Sequence, residues 1–275
     1  MSDYLTGSDG LPARSSQPYA QDKLYYVERY QKIFATGMKN RWKQRIYLDL
    51  LAGPGRCRIE ATGEEFPGSP VWSLDAEFTK RLFVESDPML ADALRQRVPV
   101  DCLVITADCK LPTTIDKIRS EIPERDTLSL AFVDNLGLDV PLATLERLTR
   151  GRLMDLLIVF QVQDLTRNID DVLTARDSSA RVDAFFGGRD WVEIAEGVRK
   201  RNASPSEVTN GLLEHYRRCL DAFGYGHSHI CQQAMKNSRN AEQYRLLLAG
   251  RNAKAVEFFK KIEQIDPYGQ RGLGF

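Results

Sequence analysis

Apolar positions along this chain fall into short runs that alternate with amphipathic stretches. From Asp22 onward, Leu24, Val27, Tyr30, Ile33 and Phe34 recur at three- and four-residue spacing, with Lys23, Glu28, Arg29 and Lys32 on other faces. That spacing predicts a helix. The run IYLDLL (46–51) reads as a buried parallel strand that closes on the glycine turn AGPG (52–55). Residues 56–68 are polar and turn-rich. A helix is expected from Ser69-Pro70, because Ser is a good N-cap and Pro is tolerated at the first helical position. RLFVE (81–85), LVIT (103–106), LSLAFVD (128–134) and LLIVF (156–160) predict four more strands, with helices over 88–97, 115–122 and 140–151.

Five alternations of strand and helix imply an α/β fold with a parallel, doubly wound sheet and helices on both faces. Residues 161–205 break the pattern and read as a helical insertion or lid after strand five. Phe185, Phe186 and Trp191 are expected to pack there. After a helix over about 206–223, ICQQAM (230–235) and YRLLLAG (244–250) predict an antiparallel hairpin at the sheet edge. A last amphipathic helix covers about 252–264. Residues 1–20 are rich in Ser, Gly, Pro and Gln and are expected to form a flexible tail ahead of a single domain over 21–275.

Composition narrows the classes. With 43% hydrophobic and 28% charged residues the chain reads as an ordinary globular protein, not a disordered one. No run approaches the ~20 apolar residues of a membrane helix, and the polar N-terminus carries no apolar signal-peptide core. Five cysteines without a CxxC pair suit reduced thiols in a cytoplasmic protein, and three histidines are too few for a convincing metal site. Lys+Arg 38 against Asp+Glu 38 leaves zero net charge, so nucleic-acid affinity would need a local patch.

The strongest chemical signal is Asp49-Leu50-Leu51-Ala52-Gly53-Pro54-Gly55. A strand ending in a glycine turn brings backbone N–H groups to a ligand with no side chain in the way, at the sheet edge where doubly wound folds bind. Glu85 ends the next strand and can accept both hydroxyls of a ribose. Asp108 follows the third strand and can face an adenine, and Asp134 ends the fourth. Any one of these acids alone reads equally as a cap or turn former. Asp49 differs, because an unpartnered carboxylate inside an apolar run is costly. The glycines do not make G-x-G-x-x-G, and no G-K-[ST] is present. A ligand with ribose and adenine but no phosphates fits better, and S-adenosyl-L-methionine is one.

DLLAGPG resembles the first motif, D-x-F-A-G-x-G, of S-adenosylmethionine-dependent methyltransferases. The ordered set YLDLLAGPG (47–55), GSPVWSL (68–74), LFVESDP (82–88), FVDNLGLDVP (132–141), DLLIVF (155–160), FFGGRDW (185–191) and YRLLLAG (244–250) resembles the three-Cys-motif partner proteins, TcmP. The resemblance implies a Rossmann-like, class I methyltransferase-like sheet and partnership with a three-cysteine-motif protein that is itself similar to radical-SAM enzymes. It implies that Asp49, Ala52, Gly53, Pro54 and Gly55 serve the methionine end of the cofactor, Glu85 the ribose and Asp108 the adenine. At strand four the family pattern D-P-P-G or D-P-x-G is replaced by Asp134-Asn135-Leu136-Gly137. Asp134 and Asn135 are the expected grip on an acceptor, without the prolines that stiffen such a grip.

The remaining candidates are basic. Lys39, Arg41 and Lys43 surround Trp42, and Arg56 and Arg58 follow the glycine turn. They suit phosphates and a stacked base, or else, for the 39–45 run, a basic helix end. Arg167 opens the insertion and reads as a substrate contact or a cap. The function expected is methyl transfer, with nucleic acid as the preferred acceptor. The alternative is a non-catalytic binding module of the same fold that recognises nucleic acid or the partner protein.

Overall fold

The computed structural model describes residues 4–162, 165, 176–199 and 204–265. Arg167 lies outside the described residues. In chain order the elements are β1 (Tyr4–Thr6), β2 (Pro12–Ser16), α1 (Tyr19–Gly37), β3 (Gln44–Asp49), β4 (Arg56–Ile59), β5 (Glu65–Pro67), α2 (Ser69–Trp72), β6 (Lys80–Glu85), α3 (Pro88–Arg97), β7 (Leu103–Thr106) and α4 (Pro112–Ser120). They continue with β8 (Thr127–Val133), α5 (Leu142–Thr149), β9 (Met154–Gln161), α6 (Arg176–Phe186), α7 (Asp190–Arg199), α8 (Pro205–Asp221), β10 (His227–Ile230), β11 (Met235–Lys236), β12 (Glu242–Gly250) and α9 (Ala253–Glu263).

The main sheet has the order β10-β12-β9-β8-β3-β6-β7, and β11 also pairs with β12. The five strands from β9 to β7 are parallel, whereas β12 runs antiparallel to both β9 and β10. The chain enters at β3, moves outward through β6 to β7, and returns to β8 on the other side. Its direction reverses between β3 and β8, where doubly wound sheets open a crevice at the carboxyl ends of their strands. This is the Rossmann-like, mostly parallel sheet with a C-terminal antiparallel hairpin, and α6 and α7 lie in the segment after the fifth parallel strand.

Residues on alternate sides of each strand feed two separate cores. Ile46, Leu48, Leu82, Val84, Ala131 and Val133 face α4, α5 and the helices after β9. Tyr47, Phe83, Leu130, Phe132, Leu157 and Val159 face α1, α3 and α9. Phe185, Phe186 and Trp191 are fully buried, and Phe185 stacks on Tyr216 with ring centroids 4.6 Å apart. Among the described residues no helix is long and apolar enough to cross a membrane.

Three expectations need correction. The N-terminal segment is not a tail over residues 4–16. It forms β1 and β2, and these join β4 and β5 in a second sheet of order β1-β2-β4-β5. The polar segment after the glycine turn supplies the other half. Arg56-Cys57-Arg58-Ile59 alternates in burial, and Cys57, Ile59 and Phe66 close over Leu24 of α1. Strands of three to five residues carry too few alternations to stand out in a sequence. The C-terminal hairpin is also displaced. β10 spans His227–Ile230, the Cys231 N–H still donates to Leu246 O of β12, and past it Glu263 in α9 holds the His229 ring and the Gln232 N–H with its two oxygens. The N-cap of α2 is Gly68, since the Ser69 hydroxyl is bonded elsewhere.

Candidate functional site

At the carboxyl edge of the sheet, β3 ends on Asp49 and the chain turns through Ala52-Gly53-Pro54-Gly55. Gly53 and Gly55 have φ +63° and +80°, the left-handed region that favours glycine. A Cβ on Gly55 would lie 2.8 Å from Leu94 Cδ1 and 3.2 Å from Val71 Cγ2, so the turn is pressed against α3 and α2. Asp49 is fully buried beneath it. Its carboxylate accepts hydrogen bonds from Ser69 Oγ at 2.6 Å, Tyr47 Oη at 3.2 Å and Leu51 N at 3.3 Å. Burial pushes its pKa up to about 7, and the neighbouring Asp134 charge adds to the rise, against the lowering pull of Ser69. Asp49 therefore acts on the loop from below and does not form its surface.

Glu85, at the end of β6, holds the loop from the other side. Its Oε2 accepts from Gly53 N and its Oε1 from Asp87 N, both at 2.9 Å. Oε2 has a second lone pair left for a ligand hydroxyl, whereas Oε1 also takes a longer bond from Ser86 Oγ at 3.4 Å that a ligand hydroxyl would have to displace. Two hollows open at this edge and share Leu51. The larger, of about 250 Å³, is walled by Ala52, Gly53, Pro54 and Gly55, with Arg14, Tyr19, Lys23, Arg56, Asp134 and Tyr244 around it. The smaller, of about 160 Å³, is lined by Ser86, Asp108, Cys109 and Asp139 among others. Asp108 is both wall and turn former, because its carboxylate accepts from Lys110 N at 2.9 Å.

Asp134 follows β8 and borders the larger hollow. Its Oδ2 takes a 2.5 Å ion pair from Lys23 Nζ of α1, and both side chains are more than nine-tenths buried. Its Oδ1 is buried with no hydrogen-bond partner among the described residues, and so is Asn135 Nδ2. The Asn135 carbonyl accepts from Asp139 N at 2.7 Å and Val140 N at 3.0 Å. It ties down a turn in which Gly137 and Leu138 both have positive φ, 69° and 61°. A side-chain amide thus stiffens the turn after β8.

The basic candidates separate. Lys39, Arg41, Trp42 and Lys43 precede β3, so they stand at the opposite edge of the sheet, roughly 20 Å away at ~3.3 Å per strand residue. Closeness to the glycine turn along the chain is thus cancelled by the length of the strand between them. Lys39 pairs with Glu77 and Lys43 with Asp126. Arg41 and Trp42 line a different hollow of about 320 Å³ with Phe34, Met38, Asp155 and Phe258. Arg56 and Arg58 do stand beside the site, but Glu65 holds both guanidinium groups, and Arg58 also donates to Thr6 O.

Sequence reasoning missed Arg14, Lys23, Ser69, Tyr19 and Tyr244. Lys23 sat on the expected helix as a polar-face residue, and nothing local marks it as the partner of a residue 111 positions away. Arg14 lay in the presumed tail. Among the described residues no three His, Cys, Asp or Glu side chains are grouped to hold a metal ion.

No protein-family model and no curated protein sequence matches the chain. Among solved structures, it is similar to protein LPL1258 from Legionella pneumophila str. Philadelphia 1, at 9% identity over 88% of this chain and 90% of that one, with a TM-score of 0.49. It is similar to an O-methyltransferase from Bacillus cereus in complex with SAH, at 14% identity over 88% and 86% and a TM-score of 0.42. It is likewise similar to TYW2 from M. jannaschii in complex with AdoMet, at 9% identity over 90% and 86% and a TM-score of 0.42.

Proposed function

We infer that this chain is an S-adenosylmethionine-dependent methyltransferase. The observation that carries the reading is the carboxylate of Glu85, which ends β6 and holds the N–H of Gly53 in the glycine turn; Gly53 lines the larger hollow and Ser86, the residue after Glu85, lines the smaller. A nucleoside needs a diol acceptor between a base slot and an open backbone wall, and these residues fit that need. Gly53 and Gly55 would hold the methionine end, Glu85 the ribose, and Asp108 and Ser86 the adenine. When bound, the cofactor supplies an activated sulfonium methyl, so the protein's work is positioning.

Asp134 is the acceptor-orienting group. Its Oδ2 is neutralised by Lys23 while its buried Oδ1 is free to accept an N–H or O–H from an acceptor. Tyr19 and Tyr244 border the same hollow with ring centroids 5.6 Å apart and suit a planar acceptor. Nucleic acid is the acceptor class proposed, approached from this edge and not through the Lys39–Lys43 run. The three-cysteine-motif partner is proposed from the sequence resemblance, and copurification of the two chains tests it. One observation favours a binding module instead: Lys23 already occupies half of Asp134, and a general base would need that carboxylate free.

Titration calorimetry with S-adenosylmethionine and S-adenosylhomocysteine tests the cofactor. Glu85→Ala is expected to weaken both about 100-fold, the loss of two hydrogen bonds to a charged acceptor. A folded wild type that binds neither compound overturns the reading. Transfer of labelled methyl groups to RNA or DNA, abolished in Asp134→Ala with cofactor binding intact, separates the enzyme from the binding module.

A further inference from the structure

Three cationic side chains border the larger hollow: Arg14, Lys23 and Arg56. Two of them are committed. Lys23 is paired with Asp134, and Arg56 with Glu65 and, more distantly, with Asp9. Arg14 forms no ion pair among the described residues. It is half-buried in the middle of β2, in register with Tyr4 on one side and Cys57 on the other. Its Nη1 lies 3.9 Å from the point where a Cβ on Gly53 would stand, so the guanidinium faces the open backbone of the glycine turn.

Its position relative to that turn is held by Arg97 of α3. One Arg97 nitrogen donates to Pro12 O at 2.6 Å and to Pro54 O at 2.7 Å, which ties β2 directly to the turn. The same guanidinium grips Asp9 through two further nitrogens, and this contact holds the Asp9 carboxyl down at about 2. An unpaired guanidinium in a partly enclosed hollow, fixed against a backbone wall, is a carboxylate receptor. Its planar fork matches the two oxygens of such a group.

We propose that Arg14 binds the α-carboxylate of the amino-acid end of the cofactor, which makes the N-terminal sheet a wall of the cofactor site. This rests on the cofactor reading above and deepens it. The site then selects ligands that carry a carboxylate beyond the nucleoside, and residues 4–16 become part of the binding machinery.

The test is calorimetric titration of the full chain with S-adenosylmethionine and with its decarboxylated form, which keeps the sulfonium and the amine. Wild type is expected to prefer the carboxylate form by about 10- to 100-fold, the range of a hydrogen bond between charged groups. In Arg14→Gln that preference falls to about 1, with affinity for the decarboxylated compound unchanged, and in Arg14→Lys it is partly restored. Arg56→Gln serves as control and keeps the wild-type ratio. Circular dichroism establishes that each variant is folded. A preference that survives Arg14→Gln overturns the assignment of Arg14 alone. Wild type that binds neither compound overturns the cofactor reading, and the assignment of Arg14 with it.

Discussion

The two edges of the main sheet hold similar ingredients and do different things with them. Each has a fully buried aspartate pushed up to about 7 by desolvation, Asp49 at the carboxyl edge and Asp155 at the amino edge. Each has a tyrosine at that acid, Tyr47 and Tyr30, and each has basic side chains and a hollow nearby. The carboxyl edge adds a glycine turn that walls its hollow, a second acid anchoring that turn and a third acid with an oxygen unpartnered among the described residues. At the amino edge the hollow is walled largely by side chains such as Phe34, Met38, Trp42 and Phe258. Residue types common to both edges therefore carry little functional information. Convergence of several strand ends on uncovered backbone carries most of it.

The largest test of that contrast is Lys23→Met. It strands the Asp134 carboxylate in a site where both partners are more than nine-tenths buried, and it should lower stability by about 3–5 kcal/mol in denaturant unfolding. Adding Asp134→Leu should recover most of that loss. If Lys23→Met is neutral, the carboxyl edge is not organised around this pair.

Gly55→Ala comes next. A left-handed alanine costs about 1–2 kcal/mol, and forcing a methyl against Leu94 and Val71 costs about 1–3 more. Cofactor affinity should fall in parallel, because the same turn forms the wall of the site. A variant as stable as wild type would show that the turn moves freely away from α2 and α3.

The paired acids give a pH test. Both folded pKa values lie near 7, above the ordinary carboxyl value of 3.8, so the folded chain holds more protons than the unfolded chain between those limits. Their contribution is fully present below about pH 4 and is lost as pH rises through about 7. Stability should fall across that window by up to about 1.4 kcal/mol per pH unit for each group. Asp49→Asn and Asp155→Asn should each flatten the decline, but only Asp49→Asn should also weaken cofactor binding. Equal effects on binding would erase the distinction between the edges.

The smallest effect is expected at the basic run. Lys39→Ala with Arg41→Ala removes two exposed cations at the amino edge, and stability should change by no more than about 0.5 kcal/mol. Affinity for S-adenosylhomocysteine should stay within about twofold, some 0.4 kcal/mol. A larger loss would join the two edges into one functional surface.

Much of the framework was legible because each central strand is a continuous apolar run and each following helix shows its own period. Asp49, Gly53, Gly55, Glu85 and Asp134 could be placed at strand ends for the same reason. The weaker pieces were local in a different sense. Four residues of β4 alternate correctly and still carry no statistical weight. The basic run was misjudged because closeness along the chain says nothing about which end of a strand a residue occupies.

The chain by itself determined the alternating α/β order, the reversed hairpin near the C-terminus and the acids and glycines of the carboxyl edge. These follow from periodicity and from backbone demands that act over a few residues. Only the tertiary structure decided that Arg14, Ser15 and Ser16 join the site, that Lys23 neutralises Asp134 across 111 positions, and that Arg14 faces Gly53 without an acid of its own among the described residues. Pairings of that kind depend on desolvation and on which charges are already matched, and both exist only once distant segments have been brought together.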